Sequence, residues 1–237
     1  MTRPQSRSVF LAEQLRRRIL VLDGATGTAL AARGLGAEDY GGEALVGCHE
    51  ALVLHRPDTV LDLHRGYLAA GADIVETDTF GATPVVLAEY GLADRCREIN
   101  RRAAELAREA CAESEAADPS RPRFVAGSMG PTTKALTLTG GITFPDLVKA
   151  YTVQAEGLAE GGADVLLIET CQDALNIKAA LIACTEAAPH LPVAVSATIE
   201  PTGTTLGGQS PWGVAEPDDR RLRPAGIDAS HPRGEIP

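Results

Sequence analysis

Aromatic residues are scarce: 4% of 237 residues, with one Trp, four Tyr and four Phe. A core built from this chain is therefore aliphatic, with Ala, Val, Leu and Ile packed closely around 24 glycines. Long apolar runs are missing as well. No stretch approaches the roughly 18 residues that argue for a membrane span, and the opening MTRPQSRSVFLAEQLRRR has no apolar segment ending at a small-residue cleavage site. This predicts neither a spanning helix nor an ordinary signal peptide, with the cytoplasm as the expected compartment. Cysteines are few and scattered. Cys48, Cys96, Cys111, Cys171 and Cys184 are odd in number and unlike a secreted disulfide framework or a close-paired zinc knuckle, so free thiols are expected. Positive charge is in deficit, 22 Lys plus Arg against 32 Asp plus Glu for a formal charge of -10, which argues against a nonspecific nucleic-acid binder. The tight basic clusters, residues 16–18 and Arg220, Arg221 and Arg223, are too short to reverse that. DGATGT lacks the GxGxxG spacing and no GxxxxGK[ST] occurs, which disfavours dinucleotide and P-loop readings.

What is present is a strand–helix alternation long enough for one large domain or two small ones. RILVLDG (18–24) has the form of a buried parallel strand ending in a polar lip, and ATGTALAARG suits a turn into a short helix. Residues 34–58 show no sustained periodicity and are expected as a long excursion. A helix from Pro57 places Val60, Leu61, His64, Tyr67 and Leu68 on one face, with Gly71 as its stop, and ADIVETDTF (72–80) follows as strand two. Residues 96–117 form a helix with Ile99, Ala103, Leu106 and Ala110 on its core stripe. RFVAGSMG (123–130) is strand three. Thr143 can cap a helix whose face uses Leu147, Ala150, Tyr151, Gln154 and Leu158; strand four spans 161–170, a helix follows, and strand five spans 191–198. LAAGADIVET and LAEGGADVLLIET echo one another as helix-to-strand halves of a repeating unit. The alternation permits a doubly wound sheet or a (β/α)₈ barrel. At roughly 40 residues per unit, eight units need about 320 residues, so a barrel here is incomplete, about five of eight units. Residues 210–237 hold five prolines and no apolar run, and read either as a disordered natural tail or as a drifted reading frame. The expected division is 1–17 as a polar lead-in or helix, 18–209 as a partial barrel domain, and 210–237 as a divergent tail.

Chemistry gathers at four strand ends: Asp23 and Gly24; Glu76, Thr77, Asp78 and Thr79; Ser128 and Gly130; Glu169 and Thr170. Parallel α/β folds place catalytic and binding groups at that edge. Taken singly, each has a simpler reading. Asp23 can cap the next helix, and Glu76 can pair with an arginine of a neighbouring unit. Together they form one polar rim at the margin of a dry core, where a carboxylate must find a donor, an amine or a metal, or take up a proton. Cys48 with His49 and His55 invites a metal reading with no second cysteine close in sequence, and Cys171 reads as a buried structural thiol.

Five ordered blocks, ILVLDGATGT, HRPDTVLDLHRGYLAAGADIVETDTFGAT, VAGSMGPTTKALT, GGADVLLIETCQDALNIKAAL and VSATIEPTGTTLGGQ, resemble the homocysteine-binding domain family shared by cobalamin-dependent methionine synthase and betaine-homocysteine methyltransferase. The resemblance runs from about residue 18 to 209 and implies a (β/α)₈ TIM barrel. It implies a homocysteine S-methyltransferase. A methyl group from methylcobalamin, ultimately from 5-methyltetrahydrofolate, passes to a zinc-held homocysteine thiolate to give methionine. The sibling alternatives are a smaller cobalamin-independent enzyme using a sulfonium or betaine donor, or a noncatalytic fragment. The implied substrate-binding positions are Asp23 and Gly24 at the mouth, Glu169 for the amino group, and Thr77, Thr79 and Ser128 in the neighbouring blocks. Where many relatives read ETNTF this chain has ETDTF, so Asp78 either alters the pocket or pairs with Lys134.

The resemblance stops short at the metal. The family's three zinc cysteines lie after strands six and eight, and none of the five cysteines here matches them. No residue is therefore assigned a catalytic or metal-ligating role. Zinc and cobalamin are expected of the complete family enzyme, with folate-, cobalamin- and reactivation-domain modules as its partners. The 237-residue chain alone is expected to be inactive and poorly folded.

Overall fold

A computed structural model describes residues 7–134, 136, 140–206 and 208; the expected tail at 210–237 lies outside them. In chain order the helices and strands are α1 (Arg7–Arg17), α2 (Thr26–Ala31), α3 (Ala37–Tyr40), α4 (Leu52–His55), α5 (Pro57–Ala70), β1 (Ile74–Glu76), α6 (Pro84–Leu87), α7 (Cys96–Ala117), β2 (Phe124–Met129), α8 (Phe144–Glu160), β3 (Val165–Cys171), α9 (Ala174–Ala187) and β4 (Val193–Ala197). The four strands form one parallel sheet in the order β1-β2-β3-β4, and Leu22 adds a parallel bridge to Ile74 beside β1. A doubly wound sheet reverses its order at a switch point. Strictly sequential parallel pairing is instead the wall of a (β/α) barrel, and the chain has an alternating α/β fold consistent with part of one.

Helix boundaries follow local chemistry. Pro57 opens α5 and Gly71 closes it in the left-handed region at φ 111°, where a side chain is strained. Thr143 Oγ1 accepts the Asp146 amide at the head of α8, and Asp173 accepts the Leu175 amide at the head of α9. The expected stripes on α7 and α8 are buried.

Two expected strands shrink. Residues 18–24 make a single bridge: Val21 O accepts the amides of Asp73 and Ile74, and Asp23 N donates to Ile74 O. Among the described residues this segment pairs on one side only, and Ile19, Val21 and Leu22 remain 89%, 53% and 42% exposed. Strand two is three residues long because the chain turns after Thr77 donates to Ala126 O, with Thr79 N folding back on Thr77 O. The aperiodic 34–58 stretch resolves into α3, α4 and 3₁₀ turns at Glu43–Leu45 and His49–Ala51.

Side-chain alternation divides the sheet into two faces. Val75, Val125, Met129, Leu166 and Ile168 join the main core with the helices. Phe124, Ala126 and Val165, with Ile74 and Leu167, form a second cluster with Leu11 and Phe10 of α1, and Arg7 lies over the Phe124 ring at 5.6 Å. One step of two residues along β1, β2 and β3 takes this second face from Ile74, Ala126 and Leu167 to Glu76, Ser128 and Glu169. The same period that fills the lower part with apolar groups thus delivers a polar rim at the carboxyl ends of the strands.

Candidate functional site

The rim encloses a cavity of about 400 Å³ lined by Asp23, Gly24, Ala25, Thr26, Gly27, His49, Glu50, Glu76, Thr77, Asp78, Phe80, Ser128 and Glu169. Five of these are carboxylates, one is an imidazole, and none is Lys or Arg. Its potential therefore favours a cationic group such as an ammonium.

The acidic residues of the cavity fall into two clusters. Around the strand ends, Asp23 Oδ2 accepts the Glu76 amide at 3.0 Å, which ties residue 23 to β1, while Asp23 Oδ1 is buried without a partner. Burial pushes Asp23 up to about 7 against the lowering effect of that amide, and negative Glu169 adds to the rise. Glu76 rises to about 8 through burial, then Glu169, then Asp23. Ser128 Oγ donates to Glu169 Oε1. At the other side, Glu50 Oε1 accepts the Gly81 amide at 2.7 Å, the Cys48 thiol points to Glu50 Oε2 at 3.7 Å, and Tyr40 Oη lies 3.1 Å from His49 Nδ1. Asp78 is held well above the carboxylate range by burial and by Glu50, and its Oδ2 has no hydrogen-bond partner.

Glu169 sits at a backbone irregularity. Ile168 pairs with Val195 and Cys171 with Ala197, so β3 advances three residues while β4 advances two. The extra residue, Thr170, has φ 54° and is the non-glycine with positive φ among the described residues. Strict alternation would put Cys171 on the Glu169 face. The bulge instead returns Cys171 to the main core and leaves Glu169 in the cavity. A β-branched residue in the left-handed region is strained, a feature concentrated at functional sites.

Of the residues singled out from sequence, Asp23, Gly24, Glu76, Thr77, Asp78, Ser128 and Glu169 line the cavity. Thr79 is fully buried and is not among the lining residues: its hydroxyl bonds Thr77 Oγ1 and Ser128 O, and Gln154 holds its carbonyl at 2.8 Å. Asp23 does not cap α2, whose N-cap Ala25 has no side-chain bond, because its carboxylate is turned to the Glu76 amide. Glu76 has no arginine partner among the described residues, and Asp78 makes no ion pair with Lys134. Sequence reasoning left His49, Glu50 and Phe80 out of the site. The first two lie in the aperiodic excursion, where no pattern announces a direction. Glu76 was legible from its place at a strand end beside Thr77, Asp78 and Thr79. Gly130 makes room for Phe80: a Cβ there would come within 2.7 Å of the Phe80 ring and carbonyl.

The cysteines do not fit a three-thiolate zinc site. All five are buried free thiols, each pushed up to about 12 chiefly by burial, and they bond to separate neighbours: Cys96 to Ala82 O, Cys111 to Phe124 O, Cys171 to Glu169 O, and Cys184 to Met129 Sδ, besides Cys48 to Glu50. Among the described residues no group of three or more His, Cys, Asp or Glu is placed to hold a metal ion. No helix among them is long and apolar enough to cross a membrane.

Comparison with known proteins gives a consistent result. A family model described as homocysteine S-methyltransferase matches residues 20–233. The chain is 43% identical over 222 residues to the methionine synthase of Mycobacterium tuberculosis, and equally to that of Mycobacterium leprae, covering 92% of this chain and 18% of each relative. It thus spans less than a fifth of the length of these curated relatives. Among solved structures, the metallated form of the homocysteine methyltransferase MmuM from Escherichia coli superposes with a TM-score of 0.74 at 25% identity, covering 86% of this chain and 72% of that one. The oxidized form gives 0.70 at 26% identity, over 83% and 68%.

Proposed function

The chain belongs to the homocysteine S-methyltransferase family, and on that premise we propose that its cavity is the homocysteine seat of a methyl transfer that forms methionine. The observation that carries this reading is the carboxylate-lined cavity at the carboxyl ends of parallel strands, with no Lys or Arg among the described residues that line it. In it the ammonium of an amino acid lies against Glu169, oriented by Ser128, with Asp23 and Glu76 completing the negative wall. Because burial, with negative Glu169 adding to it, holds Asp23 and Glu76 partly protonated, an arriving ammonium displaces protons from them as it binds. The substrate sulfur then forms a bond to the donor's methyl carbon as the bond from that carbon to the donor breaks. Zinc, when bound in the complete family enzyme, favours the sulfur as thiolate. The cysteines of this chain do not supply that site, and no step is assigned to them. We assign the barrel domain to residues 18–209 and the compartment to the cytoplasm, in line with five unpaired thiols.

Two donors follow from different observations. Identity to the methionine synthases supports methylcobalamin, charged ultimately from 5-methyltetrahydrofolate, with the donor modules elsewhere in a longer protein or in separate chains. The likeness to MmuM supports a cobalamin-independent enzyme with a sulfonium or betaine donor, and more directly, since 72% of that chain is spanned against 18% of the synthases. For the 237 residues alone we propose homocysteine binding without turnover.

Titration of homocysteine into the chain, followed by NMR, tests the seat. Glu169→Gln is expected to weaken binding about tenfold or more, the range of a hydrogen bond to a charged group. Unchanged binding in that variant would remove Glu169 from the site. Methionine formation by a form carrying the zinc cysteines, offered methylcobalamin, a sulfonium or betaine in turn, identifies the donor.

A further inference from the structure

Asp78 lies just beyond β1, 5% exposed, in the wall of the cavity, with Oδ2 buried and unbonded. The titratable groups facing it are Glu50, Cys48 and Tyr40, with His49 across the cavity. Glu50 is turned to the Gly81 amide and the Cys48 thiol, and Tyr40 to His49 Nδ1, so none of them donates to Asp78. An ionised carboxylate here would be a buried charge beside a second carboxylate with no cation lining the same cavity, which favours the neutral acid. A neutral carboxyl is an O–H donor and needs an acceptor.

The acceptor follows if the cavity seats homocysteine, the reading on which this inference rests. The zwitterion's ammonium is met by Asp23, Glu76 and Glu169, but its carboxylate enters a cavity that no Lys or Arg lines among the described residues. We propose that Asp78 donates a hydrogen bond from its protonated carboxyl to the ligand's carboxylate, selecting an α-amino acid thiol over a plain aminothiol. Asp78 is thus a specificity residue that works as an amide would, with the difference that rising pH switches it off.

The test titrates the full chain and its Asp78→Asn and Asp78→Leu variants with homocysteine and with the carboxyl-free 3-aminopropane-1-thiol. At mildly acid pH, Asp78→Asn is expected to bind homocysteine within about threefold of the parent and Asp78→Leu about tenfold or more weaker, while the aminothiol binds all three alike. Raising the pH should weaken the parent relative to Asp78→Asn; the ratio cancels the titration of Asp23 and Glu76, which both proteins share. Equal homocysteine affinity in Asp78→Leu, or equal losses for both ligands, overturns the proposal. The ¹³C resonance of the Asp78 carboxyl in the ligand-free chain gives a reading independent of binding: the protonated position is expected at neutral pH, and the carboxylate position overturns it. If the parent binds no homocysteine, the seat itself is refuted and this inference with it; binding that ignores Asp78→Leu refutes this inference alone.

Discussion

His64 shows how one side chain can set the response of the fold to acid. It lies on the core face of α5, fully buried, with neither ring nitrogen hydrogen-bonded, and burial lowers it from 6.5 to about 4. Between those values the unfolded chain binds a proton that the folded chain refuses. Stability is therefore fully present above about pH 6.5 and is lost as pH falls toward 4, by about 3 kcal/mol at 1.36 kcal/mol per unit. Asp23 and Glu76 slope the other way. Their raised values mean the folded chain holds more protons, so their contribution fades as pH rises toward about 7 and 8. Comparison with His64→Leu isolates the histidine: urea unfolding should show the variant gaining on the parent by about 3 kcal/mol on acidification. Parallel pH curves would mean that the imidazole is protonated inside the fold.

At the scale of elements, α7 and α8 approach through glycines. A Cβ on Gly161 would stand 2.3 Å from Arg101 O and 2.6 Å from the Ala104 Cβ; one on Gly157 would stand 2.6 Å from Arg97 O. In an exposed helix Gly→Ala gains about 1 kcal/mol from propensity. Here the neighbour is backbone that cannot swing aside, and overpacking costs about 1–3 kcal/mol, so the sign reverses. Thermal melts should place Gly157→Ala below the parent by a few degrees, and a rise would show that the helices separate freely. The helices were legible because their stripes and caps are local: α7 has the bounds its sequence implies. The internal echo also acquires a cause. Asp73 and Asp164, the aspartates of the two GAD segments, each accept a backbone amide of the neighbouring segment, Val21 and Val125, and each is gripped by arginines, Arg18, Arg121 and Arg123 in one case and Arg7 and Arg108 in the other. What the sequence did not reveal was contributed from a distance. The site's second side rests on Glu50 and His49, placed by 3₁₀ turns with no period, and residues 18–24 fall short of a strand because pairing depends on neighbours rather than on composition.

Across the whole molecule the strands run from stability to function. Their amino ends are fastened by Asp73, Asp164 and the arginines, and their carboxyl ends carry Asp23, Glu76, Ser128 and Glu169, with Phe10 and Leu11 of α1 packed on the sheet face between. The central strand β2 is buried throughout, but the flanks of the described sheet are not. Val195 stands in register with the buried Ile168 yet is 38% exposed, and Ile199 beyond it and Leu22 on the opposite flank are also uncovered among the described residues. A closed barrel has no such edges, and an open parallel edge with apolar neighbours templates pairing with another chain. The 237-residue chain is therefore expected to self-associate with rising concentration in sedimentation velocity. Val195→Lys, which puts a charge on that partly exposed face, should shift it toward monomer. A parent that stays monomeric across the same range would show that both flanks are covered in solution.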